Sequence, residues 1–385
     1  MVAVADPRVS ARSEVAEMHG IGTEGQFDTW QEMLSQPRLA DVFINTTMDR
    51  EHVESACKAM ELGYDMLLEK PSATCIEDVN RIDAVRKKTG RIVSVCHSLR
   101  YHVVYETIQE ILASGKIGDV VSIDQLEAVE HIHQSHSFVR GNWGNESRST
   151  FMLLAKSCHD IDIIASLVPQ ACLRVSSFGT LSYFREENAP AGAPTYCVDG
   201  CPAEATCPYH AMKIYAPEGF WKRHAGMSGL DREQTRDRLK ESPYGLCVFK
   251  TDNDVVDHQV VSMEFEGGVT ATFTMTAFTP WGGRYLRIHG TKGYIEAKID
   301  HRTIDVWEFW AGNRHSHIDF AADKGSHGGG DGRLIANLID AIQARDVSLV
   351  RTGTSESART HSIVFAAEQS RRQGRVVELS ELADR

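Results

Sequence analysis

The sequence predicts an α/β protein in two parts. Residues 1–119 read as a doubly wound, mostly parallel sheet domain, and residues 120–385 as an α+β domain on a large open-faced, mostly antiparallel sheet. Three observations carry this. Short apolar strands alternate with amphipathic helices through the first third, the pattern of a parallel sheet covered by helices. From about Val120 the texture changes to longer runs of period-two alternation broken by Gly-Gly and Thr-Lys-Gly turns, as in antiparallel sheets. Finally, the run Met66-Leu67-Leu68-Glu69-Lys70-Pro71 delivers a lysine to the end of a buried strand. Burying an ammonium is costly, and a desolvated lysine becomes a usable acid or base. The alternative is a strand end whose lysine snorkels to solvent.

In order along the chain, strands are expected at Val2 to Ala5, Asp41 to Thr46, Asp65 to Leu68 and Arg91 to Val95, with helices at Val9 to His19, Arg50 to Leu62 and Ile76 to Lys88. Asp6 follows the first strand, where an acid hydrogen-bonds a ribose in dinucleotide folds, although Asp-Pro is also a common turn. Asn45-Thr46-Thr47 ends another strand at the carboxyl edge, where such sheets take ligands. The second part offers strands at Val120 to Val129, Val255 to Phe265, Val269 to Phe278, Tyr285 to Gly290 and Tyr294 to Ala297. A Pro/Gly/Ala/Cys-rich insertion spans about Glu186 to Pro217, and a charged helix lies near Asp231 to Glu241. A Gly-rich loop at Ser326 to Gly330 precedes a final helix, Arg333 to Ala344.

A net charge of −12 without a long basic run argues against nucleic acid or an anionic membrane as partner and favours small molecules. No apolar stretch reaches the roughly 18 residues of a membrane helix, and no signal architecture opens the chain, so a cytoplasmic location is expected. Of nine cysteines, only Cys197, Cys201 and Cys207 cluster, with spacing C-x3-C-x5-C. Three thiolates need a fourth ligand for closed tetrahedral zinc, and Cys247 or His210 can supply it; reduced surface thiols are the alternative.

A second constellation is Lys156-Ser157-Cys158-His159-Asp160-Ile161-Asp162, opening an apolar helical run through Leu167. On one helix Lys156 and His159, three apart, share a face, and His159 can serve as a neutral base. The competing reading is a helix N-terminus at which Asp160 and Asp162 complement the dipole.

Taken with Asp6, Asn45-Thr46-Thr47 to His52, Glu69-Lys70-Pro71, Ser98-Leu99-Arg100-Tyr101, Gly115-Lys116-Ile117-Gly118-Asp119 and His159-Asp160-Ile161-Asp162, the chain resembles the Gfo/Idh/MocA oxidoreductases over nearly its whole length. The resemblance implies a Rossmann domain binding NAD or NADP, an open-sheet domain, and a sugar, cyclitol or related polyol as substrate. It implies that Lys70 binds the reacting hydroxyl or carbonyl and that His159 is the acid/base; Lys156, three residues before His159, is a further catalytic candidate from its spacing. Cofactor contacts would come from Asp6, Asn45, Thr46, Thr47, His52, Glu69, Lys70 and Arg100, and substrate contacts from Tyr101, Arg140, Trp143, Asp160 and His258. It also implies homo-oligomers formed through the open sheet. The family admits NAD-dependent glycosidases as well, which recycle the cofactor, and a non-catalytic sugar-binding protein is a third possibility.

Two departures stand out. Family members typically carry an aspartate four residues before the histidine, whereas here that position is Ala155, with Lys156 beside it. The Leu-Leu-Ala-Lys-Ser-Cys-His-Asp pattern looks like that of a subgroup, as do His136 to Trp143 and Asp252 to Gln259. The second departure is that the family's opening strand and G-x-G-x-x-G turn are missing from residues 1 onward. In the order 3-2-1-4 that strand is central, so its absence would leave two buried strands facing each other unpaired. About 20–30 residues, one βα unit, are therefore expected to precede Met1; the alternative is a cofactor-free variant whose sheet closes directly.

Overall fold

The computed structural model describes residues 1–321 and 326–382. The chain divides into two compact units, Met1–Glu106 with Ala322–Ser362, and Thr107–Ala321 with Ile363–Asp384.

The first unit holds five short parallel strands: β1 (Val4–Ala5), β2 (Gln26–Phe27), β3 (Val42–Asn45), β4 (Asp65–Leu68) and β5 (Val93–Val95). They form two separate sheets, β1-β2 and β3-β4-β5. The array is thus interrupted between β1 and β3. β4, paired on both sides, is buried at all four positions, whereas Ile44 on β3 is 49% exposed. Helices follow the strands as β-α alternation requires: Val9–His19, Trp30–Ser35, His52–Glu61 and Ile76–Thr89. The first ends on Gly20, whose φ of +64° is the left-handed C-cap conformation open to glycine. Sequence reading missed β2 and the helix Trp30–Ser35. The helix Gly330–Ala344 also belongs to this unit, covering Leu67, Ile92, Cys96 and Tyr101 through Leu334, Leu338 and Ala341.

The second unit is built on one nine-stranded sheet. Its strands are β6 (Val120–Ala128), β7 (Cys172–Thr180), β8 (His258–Phe265), β9 (Thr270–Thr276), β10 (Gly283–Gly290), β11 (Gly293–Lys298), β12 (Thr303–Glu308), β13 (Arg314–Asp319) and β14 (Val377–Glu378). The order is β13-β12-β11-β10-β6-β9-β8-β7-β14, antiparallel except between β6 and β9. Alternation places Val261, Met263, Phe265, Ala271, Phe273 and Met275 inward. The opposite face stays open, with Phe178 70% and its cross-strand partner Val260 38% exposed. The helix Cys158–Leu167 lies on the covered side, nine of its ten residues buried. The helix near Asp231 runs Arg232–Leu239 and starts with a capping box in which Asp231 and Gln234 exchange hydrogen bonds. Among the described residues no helix is long and apolar enough to cross a membrane.

Candidate active site

In the first unit the candidate residues follow the carboxyl ends of β1, β3, β4 and β5. Asn45, fully buried, donates from Nδ2 to the His52 carbonyl (3.2 Å) and Ser55 Oγ (2.9 Å), and its Oδ1 accepts from Thr47 Oγ1 (2.8 Å). The His52 ring, 1% exposed, lies between the Pro71 carbonyl (Nδ1, 2.7 Å) and the Thr47 carbonyl (Nε2, 3.0 Å). Asn45 and His52 therefore lace the ends of β3 and β4 together. Thr46 is exposed and Thr47 half-buried. The Glu69 N–H donates to the Asn45 carbonyl (2.9 Å), and Glu69 Oε2 accepts from the Lys70 N–H (3.0 Å), so the backbone carrying Lys70 is fixed from both sides. Lys70 itself is half-buried at the carboxyl end of β4 and precedes a cis Pro71.

At the end of β1, the Asp6 carboxylate accepts from the backbone N–H, Nε and Nη2 of Arg8 at 2.8–3.0 Å. The Arg8 side-chain bonds are the largest influence holding its carboxyl below the usual range. Arg100 is buried and pairs with Glu356 at 3.6 Å. Tyr101, 1% exposed, donates to Asn337 Oδ1 (2.8 Å) and carries the Arg351 guanidinium 4.5 Å above its ring. The expected substrate contact at Tyr101 is thus a core position of the first unit, its hydroxyl engaged by protein.

The second unit contains a buried charge network that sequence reading did not foresee. Glu127 on β6 and Arg284 on β10 are register partners, with Arg284 Nε 3.1 Å from Glu127 Oε2. Lys156 Nζ is 3.2 Å from the other carboxylate oxygen. Arg284 Nε also reaches Asp160 Oδ1 (2.8 Å), which accepts from Gln125 Nε2 (2.6 Å). Two cations and two anions balance. The Glu127 and Asp160 side chains are 3% and 0% exposed and that of Arg284 is 11%. Burial, the largest influence, pushes the Glu127 carboxyl upward, against the downward pull of Arg284 and Lys156.

His159 is the second residue of its helix and 5% exposed. The expected shared face with Lys156 is corrected. Lys156 caps a separate short helix, Met152–Ala155, and Ser157, with φ −101° and ψ 9°, breaks the run. Asp160, read as a substrate contact or a dipole partner, is instead an internal ion-pair partner. Nearby, burial depresses His133 to about 3, with Lys156 adding to the effect, and depresses His136 to about 4. The signal that could have found the network is on β6, where Gln125 and Glu127 occupy inward positions of an otherwise apolar alternation.

The remaining candidates lie elsewhere. Arg140 is 3% exposed and turned into the cysteine-rich insertion, donating from Nε to the Leu246 carbonyl and from Nη2 to the Tyr209 carbonyl, both 2.7 Å. Trp143 is 37% exposed near Phe138. His258 Nδ1 is 2.8 Å from the buried Asp257 carboxylate. Cys197, Cys201, Cys207 and Cys247 are all free thiols, and among the described residues no three His, Cys, Asp or Glu side chains form a closed metal-binding set.

Residues 1–97 match the profile "Oxidoreductase family, NAD-binding Rossmann fold", and residues 109–379 match "Oxidoreductase family, C-terminal alpha/beta domain". The chain belongs to the Gfo/Idh/MocA oxidoreductase family. Within this family it is similar to the oxidoreductase YteT of Bacillus subtilis (strain 168), 25% identical over 345 residues, covering 83% of this chain and 77% of YteT. Inositol 2-dehydrogenase of Gluconacetobacter diazotrophicus is 28% identical over 137 residues, or 35% of this chain and 37% of that protein. Two solved structures share the fold at a TM-score of 0.71. Levoglucosan dehydrogenase, in complex with NADH and levoglucosan, is 15% identical and matches over 98% of this chain and 90% of that one. An oxidoreductase from Agrobacterium radiobacter, in complex with NAD+, L-tartaric acid and magnesium, is 12% identical over 99% of this chain and 91% of that one. The protein is therefore an oxidoreductase of a family whose N-terminal domain is the NAD-binding Rossmann fold.

The residues present suit a dinucleotide at its two ends. Asp6 offers a carboxylate at a strand terminus, and Thr46, Thr47, Glu69 and Lys70 line strand ends held in place by Asn45 and His52. The diphosphate fares differently. Among the described residues of the first unit no strand runs through a glycine-rich turn into a helix, and β1 is followed by Pro7, which has no N–H to give.

Proposed function

We propose that the protein oxidises or reduces a CH–OH group of a sugar, cyclitol or related polyol with NAD or NADP. The observation that carries this reading is Lys70, fixed by Glu69 and Asn45 at the carboxyl end of the buried strand β4 in the NAD-binding unit. Ligands bind at carboxyl strand ends in such sheets. The names of similar proteins, levoglucosan dehydrogenase and inositol 2-dehydrogenase among them, support a polyhydroxylated substrate.

The chain's own groups divide the work. The Lys70 ammonium donates to the reacting oxygen and stabilises the negative charge that grows there as the carbinol is oxidised. His159 accepts the hydroxyl proton. Glu127 and Asp160, with Arg284 between them, hold the segment that carries Lys156 and His159 and give the Lys156 ammonium a fixed counter-charge. Thr46 and Thr47 offer hydroxyls, and Asp6 a carboxylate, to the two ends of the dinucleotide. A bound nicotinamide supplies the hydride acceptor. Copies associate through the open sheet face around Phe178 and Val260.

The test is NADH or NADPH formation at 340 nm across a panel of sugars and cyclitols. Net accumulation with at least one of them is expected. Substrate cleavage without net accumulation would make the protein a cofactor-recycling glycosidase instead.

A further inference from the structure

The cysteine-rich insertion and the segment after it fold so that stretches carrying four cysteines distant in sequence lie side by side. Cys197 and Cys247 stand on segments joined by the antiparallel bridge Tyr196–Leu246, with Cys197 N–H donating to the Gly245 carbonyl and Cys247 N–H to the Thr195 carbonyl, both 2.8 Å. Gly245 on the second of these segments lies against Leu239, whose carbonyl oxygen would be 1.8 Å from a Cβ there. Cys207 and Cys247 then sit in matching turns. The N–H three residues on returns to each carbonyl, His210 to Cys207 (3.4 Å) and Lys250 to Cys247 (2.9 Å). The N–H two residues on, that of Tyr209 or Phe249, donates to each sulfur. Cys201 and Cys207 pack against the buried cluster that contains Cys247.

Arg140 lies among these thiols. Its Nη2 is 3.6 Å from Cys197 Sγ, its other bonds go to neutral carbonyls, and Nη1 has no partner among the described residues. Nor does any carboxylate among the described residues come within ion-pair distance of Arg140. A buried guanidinium held only by neutral acceptors is costly, and thiolates beside it would supply the missing counter-charge.

We propose that Cys197, Cys201, Cys207 and Cys247 bind one structural zinc ion. Binding turns the four side chains, which form no metal-binding set as they stand, onto one ion. Binding exchanges four thiol protons for one Zn2+, leaving a tetrahedral tetrathiolate of charge −2. The Tyr209 and Phe249 N–H groups and the Arg140 guanidinium partly neutralise that charge. With four protein ligands the site has no open position, so its role is to pin the insertion. This inference does not depend on the proposed substrate.

Elemental analysis of the full chain, purified under reducing conditions without a histidine tag, should give about one zinc per chain. Replacing zinc with Co2+ should produce the d–d bands of tetrahedral thiolate coordination with sulfur-to-cobalt charge transfer in the near ultraviolet, a readout that needs no variant. Cys207→Ser should lose both. Arg140→Gln should keep the stoichiometry but bind zinc about 10–100-fold more weakly, as loss of a partner outside the ligand shell does. Zinc near zero after reduction and zinc addition, or Co2+ spectra without sulfur ligation, would overturn the proposal. So would Cys207→Ser and Cys247→Ser variants that retain full zinc.

Discussion

Arg284→Met is the most informative single change in the second unit. Arg284 is the cation that faces both buried carboxylates, Glu127 at 3.1 Å and Asp160 at 2.8 Å. Methionine keeps much of the stem's volume and removes only the charge, leaving two buried anions with Lys156 as the remaining cation. Breaking a buried pair from one side costs about 3–5 kcal/mol. At about 2–4 °C per kcal/mol for a unit of this size, the melting temperature should fall by about 6–20 °C. The loss should also depend on pH. Burial already raises Glu127, and without Arg284 it rises further above its unfolded value. A group raised in the folded state adds stability below its unfolded pKa and loses it as pH rises through the folded one, so the deficit should widen from pH 5 to 8. Urea unfolding followed by tryptophan fluorescence is the assay, because five of the six tryptophans (all but Trp30) lie in the second unit. Adding Glu127→Gln to Arg284→Met removes one stranded anion and should recover stability, with a coupling of about 0.5–3 kcal/mol. An Arg284→Met loss under about 1 kcal/mol, or strict additivity in the double variant, would refute the network as a charge-balanced unit.

Other predictions follow from the same geometry. His159→Asn should cut kcat by about 100-fold or more through loss of acid–base catalysis, and an unchanged kcat would remove His159 from the reaction. His52→Leu leaves the Pro71 and Thr47 carbonyls without their ring partner and should cost about 1–3 kcal/mol in urea unfolding; a neutral result would show that the two strand ends are held by other means. His133 and His136 have folded values depressed to about 3 and about 4, so their contribution is present above the unfolded value near 6.5 and is lost as pH falls. The wild-type urea midpoint should therefore drop on acidification from pH 6.5 to 4, and the His133→Gln/His136→Gln double variant should show a shallower slope.

What the sequence revealed, and what it hid, follows from the range of the interactions involved. β4 at Asp65–Leu68 and the helix Val9–His19 were legible to the residue, because a short apolar run and a helical run closed by Gly20 are local signals. The 20-residue helix Thr354–Gln373 was not. It buries Thr354, Ser357, Thr360 and His361 alongside Ile363 and Val364, so no apolar stripe marks its inner face. Strands β12 and β13 were missed for a related reason, since His315 and His317 on β13 pair with Asp305 on β12 and give the hairpin a polar surface. In the candidate site, residues bound locally to strand ends, Asn45, His52, Glu69 and Lys70, were found together. Arg284 was invisible because its partner Glu127 lies across a register set by distant strands. Arg140 read as a polyol contact for want of the same information, as its acceptors Tyr209 and Leu246 come from the insertion and the segment after it.

The central claim is that Lys70, at the end of β4, polarises the reacting oxygen of a polyhydroxylated substrate. Lys70→Met tests it most directly, because it preserves the stem's packing and removes the ammonium. With the sugar or cyclitol that gives the fastest wild-type NADH or NADPH formation, the account predicts that kcat falls by at least about 100-fold while the unfolding midpoint stays within experimental error of wild type. A Lys70→Met enzyme that folds and keeps a substantial fraction of wild-type kcat would contradict it.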